Sequence, residues 1–307
     1  MVGRKLVERL ARDGSIGDAP ISRLILVDLV EPPPLGDQVV ADLSEPGVAA
    51  GLVADRPDVV FHLAAVVSGE AEADLDKGYR VNLDGTRSLF DAVRVVGGDY
   101  RPRVVFSSSI AVFGAPFPEA IGDDHRLSPL TSYGTQKAIG ELVLSDYSRR
   151  GLLDGIAVRL PTICVRPGPP NRAASGFFSG IIREPLNGQP AVLPVPDDVR
   201  HWFASPRSAV GYLLHAASMD TSLLGSDRCL TMPGVSATVA EQIDALRRVA
   251  GDEAVHLIRR EPDETIARIV AGWPGRFDPR RALELGFRAE ADFDSIIHVY
   301  LEDELAA

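Results

Sequence analysis

The sequence predicts an α/β fold, a doubly wound parallel sheet with a smaller C-terminal lobe, and three observations carry that prediction. Apolar runs of strand length alternate with segments of helical period. The runs are almost unbroken in Val, Ile, Leu and Phe, as strands covered on both faces require. Beyond residue 165 the texture changes to Pro, Gly and Asn, which marks a second lobe. The expected strands cover 23–28, 59–63, 103–107, 155–160 and 228–232. The expected helices cover 2–12, 82–96, 132–148, 175–186 and 205–218. This places a first domain at 1–165 with a returning segment at 201–232, and the lobe at 166–200 and 233–307.

A chain of 307 residues, 45% apolar and 24% charged, can bury one large core or one core plus a smaller lobe. The net charge of −11 repels phosphate backbones and anionic lipid, and no Lys/Arg-rich run offsets it, so neither nucleic acid nor membrane is an expected partner. No apolar run reaches the ~18 residues of a spanning helix, and no secretory leader is evident. Two cysteines, Cys164 and Cys229, are too few for a disulfide framework or a zinc site, so no metal is expected and the reducing cytoplasm is the expected compartment. The oligomeric state is left open, with a homodimer among the expectations.

The first helical segment opens at residue 1 with Gly3 in its first turn. In a dinucleotide-binding unit such a helix follows a strand and a glycine-rich turn, and its N-terminus faces the pyrophosphate. Gly3 is expected to be the third glycine of that turn, with the strand and the first two glycines on an additional ~10 to 15 residues before the given start. About 25 residues later, Leu24-Ile25-Leu26-Val27-Asp28 ends an apolar strand in an acid, where the ribose hydroxyls of NAD would donate to a carboxylate and a 2′-phosphate would be repelled. Asp42, with Leu43 after it, closes a second short apolar run and is expected either near the adenine edge or as a local cap. Leu63, Ala64 and Ala65 leave the strand that contains His62 and let the backbone approach a cofactor. His62 itself reads as a satisfied core histidine. Asn82 reads as a helix cap, or as a brace beneath the site.

The densest chemical signal is Tyr133-Gly134-Thr135-Gln136-Lys137. With six tyrosines and three lysines in the chain, a Tyr-x-x-x-Lys pair arises by chance about 0.06 times. On a helix starting near residue 132 the two side chains share one face. A phenol of ordinary pKa ~10 is a poor base at neutral pH, and a nearby ammonium is expected to favour the phenolate. Upstream, the strand Val104-Val105-Phe106 ends in Ser107, Ser108 and Ser109, hydroxyls placed to hold a substrate oxygen beside the phenol.

These stretches, with Ala41-Asp42-Leu43, His62-Leu63-Ala64-Ala65, Val81-Asn82-Leu83-Asp84-Gly85-Thr86, Phe106 to Gly114 and Val158-Arg159-Leu160-Pro161, resemble the extended short-chain dehydrogenase/reductase family, also called NAD-dependent epimerases/dehydratases, over essentially the full chain. The resemblance implies a Rossmann-like fold and NAD as cofactor, and it selects Ser109 among the three serines. It further implies Tyr133 as general acid/base and Lys137 as the holder of the nicotinamide ribose, and adds Pro161 to the cofactor-binding set. Where nucleotide-sugar enzymes of the family carry an Arg-Asp-Phe/Trp-x-x-Val-Asp-Asp type stretch, this chain has Arg200 to Ala209, which argues against a nucleotide-sugar substrate. The chain instead resembles family members that oxidise the C2 hydroxyl of a four-carbon sugar acid, with D-erythronate the expected substrate. A sugar acid needs a cation or several donors for its carboxylate, and Ser68, Asn171, Ser175 and Arg183 are the expected contributors beside Ser109 and Tyr133. Two rivals stand against this reading: a nucleotide-sugar epimerase or dehydratase, and a non-catalytic NAD-binding sensor. The complete Ser/Tyr/Lys set counts against the sensor.

Overall fold

A computed structural model describes residues 1–168 and 175–306. Its centre is a four-stranded parallel sheet in the order Cys229–Thr231, Asp154–Leu160, Arg103–Ser109, Val59–His62. Alternation along Arg103–Ser109 explains why the apolar run is unbroken. Val104 and Phe106 pack with Val53, Phe90 and Leu144 on one face, while Val105 packs with Leu6, Leu10, Tyr212 and Leu213 on the other. Helices Gly85–Val96 and Ser132–Arg149 cover the first face, and helices Val2–Asp13 and Pro206–Ser218 cover the second.

The strands Ile25–Asp28 and Asp37–Val40 pair in parallel as a separate two-stranded ribbon, and among the described residues no ladder joins it to the central sheet. The expectation that every strand is covered on both faces therefore fails here. Leu26 is buried, but Val27 and Val40 are exposed, because the ribbon has neighbours on too few sides.

A further apolar cluster gathers Phe178, Ile181 and Ile182 of helix Gly176–Leu186 with Phe203, Ile243, Leu246, Ile296 and Ile297. The strand Arg200–Ala204, placed by the sequence at the return to the first domain, pairs with Val235–Thr238 and Thr162–Ile163 in a sheet of its own. The long expected helix at 82–96 is divided. Arg80–Asp84 forms a π-helical turn, and the α-helix proper runs Gly85–Val96. Among the described residues no helix is long and apolar enough to cross a membrane.

Candidate active site

The three serines at the end of strand Arg103–Ser109 take three different partners, as strand alternation requires. Ser107 donates to the His62 carbonyl at 3.2 Å. Ser108 points into helix Ser132–Arg149 and donates to Glu141 at 2.5 Å. Ser109 caps the next turn by accepting from Ala111 N–H at 3.1 Å, and its hydroxyl lies beside the Tyr133 phenol.

Helix Ser132–Arg149 starts where the Thr131 hydroxyl accepts from Gly134 N–H at 3.1 Å, an N-cap. Gly134 is there for space, since a Cβ would stand 2.1 Å from the Ala111 carbonyl oxygen. The helix can therefore press on the turn that follows Ser109. Tyr133, Lys137 and Glu141 then follow at four-residue intervals on one face.

Lys137 is buried, donates to the Ser107 carbonyl at 2.8 Å and lies over the Phe106 ring at 4.7 Å. Burial pulls its pKa down to about 8, against the opposing pull of Glu141. Glu141 is held by Arg159, which donates to it through Nε at 2.9 Å and Nη2 at 2.7 Å. Beneath the Tyr133/Lys137 face thus sits a closed Ser108–Glu141–Arg159 network that the sequence reading missed. Two signals for it were available: Glu141 continues the Tyr133/Lys137 spacing, and Arg159 interrupts an apolar strand where a charge needs a partner.

The expectation that Lys137 draws the phenol toward phenolate needs correction. Burial pushes Tyr133 up to about 12, and the counter-pull comes from the Ser109 hydroxyl and the Arg166 charge. Lys137 Nζ is 5.7 Å from the Tyr133 ring centroid and is turned to the Ser107 carbonyl. Arg166 was not among the expected residues, and nothing in its sequence setting separates it from the other arginines.

Asn82 is a brace and does not cap a helix. It is buried inside the π-helical turn, its Oδ1 accepts from Val66 N–H at 2.8 Å, and its Nδ2 donates to Val66 O at 3.1 Å and Gln136 Oε1 at 2.7 Å. This ties the loop carrying Leu63, Ala64 and Ala65 to helix Ser132–Arg149. His62 is a core histidine: Thr86 Oγ1 donates to the Asn82 carbonyl, so it accepts from His62 Nε2 at 2.7 Å, and burial brings the imidazole down to about 3.

Gly3, in the first turn of its helix, approaches Leu63, where a Cβ would meet Leu63 Cδ1 at an ordinary 3.7 Å. Asp28 is exposed at its strand end and accepts from Leu29 N–H at 2.7 Å. Asp42 is already engaged. Ser44 and Arg80 engage both its oxygens and hold it down at about 2, so its carboxylate serves the local turn. Pro161 is buried after the strand that ends at Leu160. Ser68 opens the short helix Ser68–Ala73. The Ser175 hydroxyl accepts from Arg166 Nη2 at 3.0 Å. Arg183 is not the free cation that was expected: it is buried, donates to the Arg166 carbonyl at 2.8 Å and pairs with Glu184 at 2.5 Å. Asn171 lies outside the described residues.

The donor set fits a nicotinamide nucleotide. The Lys137 ammonium spends one of its three hydrogens on Ser107 and has two left for ribose hydroxyls. The loop at 63–65 brings the site apolar and small side chains, which leave backbone within reach.

A family model described as the NAD dependent epimerase/dehydratase family matches residues 1–204. A D-erythronate dehydrogenase of Cupriavidus necator is 47% identical over 98% of this chain and 95% of its own length. One of Haemophilus influenzae is 41% identical over 99% of this chain and 96% of its own. Among solved structures, that of a nucleoside-diphosphate-sugar epimerase from Agrobacterium tumefaciens is 63% identical with a TM-score of 0.97, covering 99% of this chain and 92% of that one. An L-threonine dehydrogenase from Phytophthora infestans has a TM-score of 0.87 at 21% identity over 100% of this chain and 96% of that one, and this likeness concerns the fold alone.

Proposed function

Since this chain belongs to the NAD-dependent epimerase/dehydratase family, we propose that it oxidises the C2 hydroxyl of a small sugar acid, D-erythronate, to the 2-oxo acid, with NAD as acceptor. The observation that carries the reading is the meeting of Ser109, Tyr133 and Lys137 at one strand end, in a chain 47% and 41% identical to two D-erythronate dehydrogenases along nearly its whole length.

Ser109 and Tyr133 hold the C2 oxygen, and Tyr133 takes its proton as the phenolate, a form that the Ser109 hydroxyl and the Arg166 charge favour and that the positively charged nicotinamide, when bound, would favour further against the burial that raises the phenol. The nicotinamide, when bound, accepts the hydride from C2. Lys137 holds the ribose and keeps a positive charge on the phenol's side of the site. Asp28 supports the choice of NAD, since its exposed carboxylate would face a 2′-phosphate with like charge. The cytoplasm suits both a nicotinamide coenzyme pool and two buried thiols, Cys164 and Cys229, that are not joined to each other.

A second reading, nucleotide-sugar epimerisation, is favoured by the name of the 63% identical structure. An epimerase returns its cofactor to the starting redox state. A panel of sugar acids and nucleotide-sugars with NAD, followed at the NADH absorbance, separates the two. Accumulating NADH with D-erythronate supports the dehydrogenase. Turnover of a nucleotide-sugar without NADH overturns it.

A further inference from the structure

A sugar acid brings an anion to the site, and the residue expected to meet it, Arg183, is committed elsewhere. Arg166 is different. It follows the short strand Thr162–Ile163 and is fixed from several sides: Nε donates to Ile163 O at 2.9 Å, Nη2 to Ser175 Oγ at 3.0 Å, and its backbone N–H to Ser179 Oγ at 3.0 Å. Its own carbonyl accepts from Arg183 at 2.8 Å. Of a guanidinium's five donors, three have no acceptor among the described residues, enough for a two-pronged contact. Among the described residues no carboxylate lies within 4.0 Å of it, whereas Arg183 has Glu184 as its partner. Half-buried beside the fully buried Cys164 and Val165, it is a cation with no paired anion among the described residues. The strand that leads to it, Asp154–Leu160, pairs Leu160 with Ser109, so Arg166 follows at the same end of the sheet as Ser109, and its charge favours the Tyr133 phenolate.

We infer that Arg166 is the carboxylate-binding residue of this site: its open guanidinium edge takes the C1 carboxylate of the substrate while Ser109 and Tyr133 take the adjacent C2 hydroxyl. This rests on the sugar-acid reading above and deepens it. Carboxylate and hydroxyl on neighbouring carbons are the one feature common to all 2-hydroxy acids, so an arginine fixed near the phenol selects that class and sets which hydroxyl reacts. Arg183, Ser175 and Ser179 are positioning residues. They hold the loop and the guanidinium in place and leave its outer edge free.

The test is binding without turnover. D-erythronate and its neutral counterpart erythritol are titrated by calorimetry into the NADH-loaded protein, in wild type, Arg166→Gln and Arg166→Lys. NADH affinity serves as the check that each variant is folded. Wild type should prefer the acid by on the order of 30-fold or more, the loss expected when a charged two-pronged contact is removed. R166Q should abolish the preference, and R166K, which keeps charge but not the fork, should retain only part of it. NADH affinity should stay within about twofold throughout. Retention of the full preference in R166Q, or no preference in wild type, overturns the assignment. If R166Q fails to bind NADH, R166K decides, and an unchanged preference there overturns it. Acid binding through Arg166 with no NADH formed in the turnover assay leaves the carboxylate site standing and removes the proposed reaction.

Discussion

Replacing Lys137 by Met should abolish turnover and at the same time stabilise the ligand-free protein. Burial lowers the Lys137 pKa from 10.5 to about 8. At about 1.4 kcal/mol per pKa unit, the folded state carries about 3 kcal/mol of penalty at pH 7 for keeping this ammonium. The sign follows from proton counts. Between pH 8 and 10.5 the unfolded chain holds more protons than the folded one, so wild-type stability rises with pH across that window and is at its penalised plateau below it. Met removes the penalty but also a hydrogen bond to Ser107 O and a contact with the Phe106 ring, together worth about 1–2 kcal/mol. The net gain expected at pH 7 is therefore about 1–2 kcal/mol, shrinking toward pH 10.5. Urea denaturation of wild type and Lys137→Met at pH 7, 8.5 and 10 measures it. A variant less stable than wild type by more than about 1 kcal/mol at pH 7, or a difference that does not shrink with pH, refutes the reasoning.

Tyr133→Phe should lower turnover by at least ~10²-fold while NAD affinity changes by less than about twofold, because the ring still packs but no oxygen remains for proton transfer; initial rates and nucleotide titration check it, and more than a few per cent residual activity contradicts the role. Wild type should favour NAD over NADP by at least ~100-fold in kcat/KM, and Asp28→Ser should close most of that gap; equal use of both cofactors by wild type removes Asp28 from the ribose. Glu141→Gln should cost about 3–5 kcal/mol by leaving the buried Arg159 charge half-paired, with Glu141→Gln/Arg159→Met recovering much of it; additive losses in chemical denaturation would show that the pair is not the source.

The apolar strands and the helix from Ser132 were legible because their signals are local. Runs of three or four apolar residues and a four-residue spacing need no knowledge of the rest of the chain. Thr162–Ile163 was not legible as a strand, since two residues carry no period and its ladder comes from Phe203 and Ala204, some forty positions away. The π-helical turn at Arg80–Asp84 was hidden for a similar reason. Its sequence is ordinary for a helix, and what widens it is the fit of Asn82 between Val66 and Gln136. At the site, Tyr133, Lys137 and the serines stood out by residue type and spacing. Arg183 and Arg166 did not separate by either, because a guanidinium's role is set by which acids reach it, and Glu184 reaches only Arg183 among these two.

The separation of the Ile25–Asp28/Asp37–Val40 ribbon from the central sheet divides the protein into parts of unequal local stability. A two-stranded ladder is marginal unless a neighbour covers it, and here Val27 and Val40 stay in solvent. The ribbon can therefore open as its own unit while the sheet bearing Ser109 stays closed, and amide hydrogen exchange should run ahead at Leu26 to Val40 of that at Val104 to Phe106. Exchange at equal rates in the two sheets would show a single cooperative unit. A nucleotide that engages Asp28 must first find the ribbon in its closed form. Part of its affinity is then spent on selecting that form, so changes far from the reacting carbon can tune cofactor binding without touching the catalytic residues.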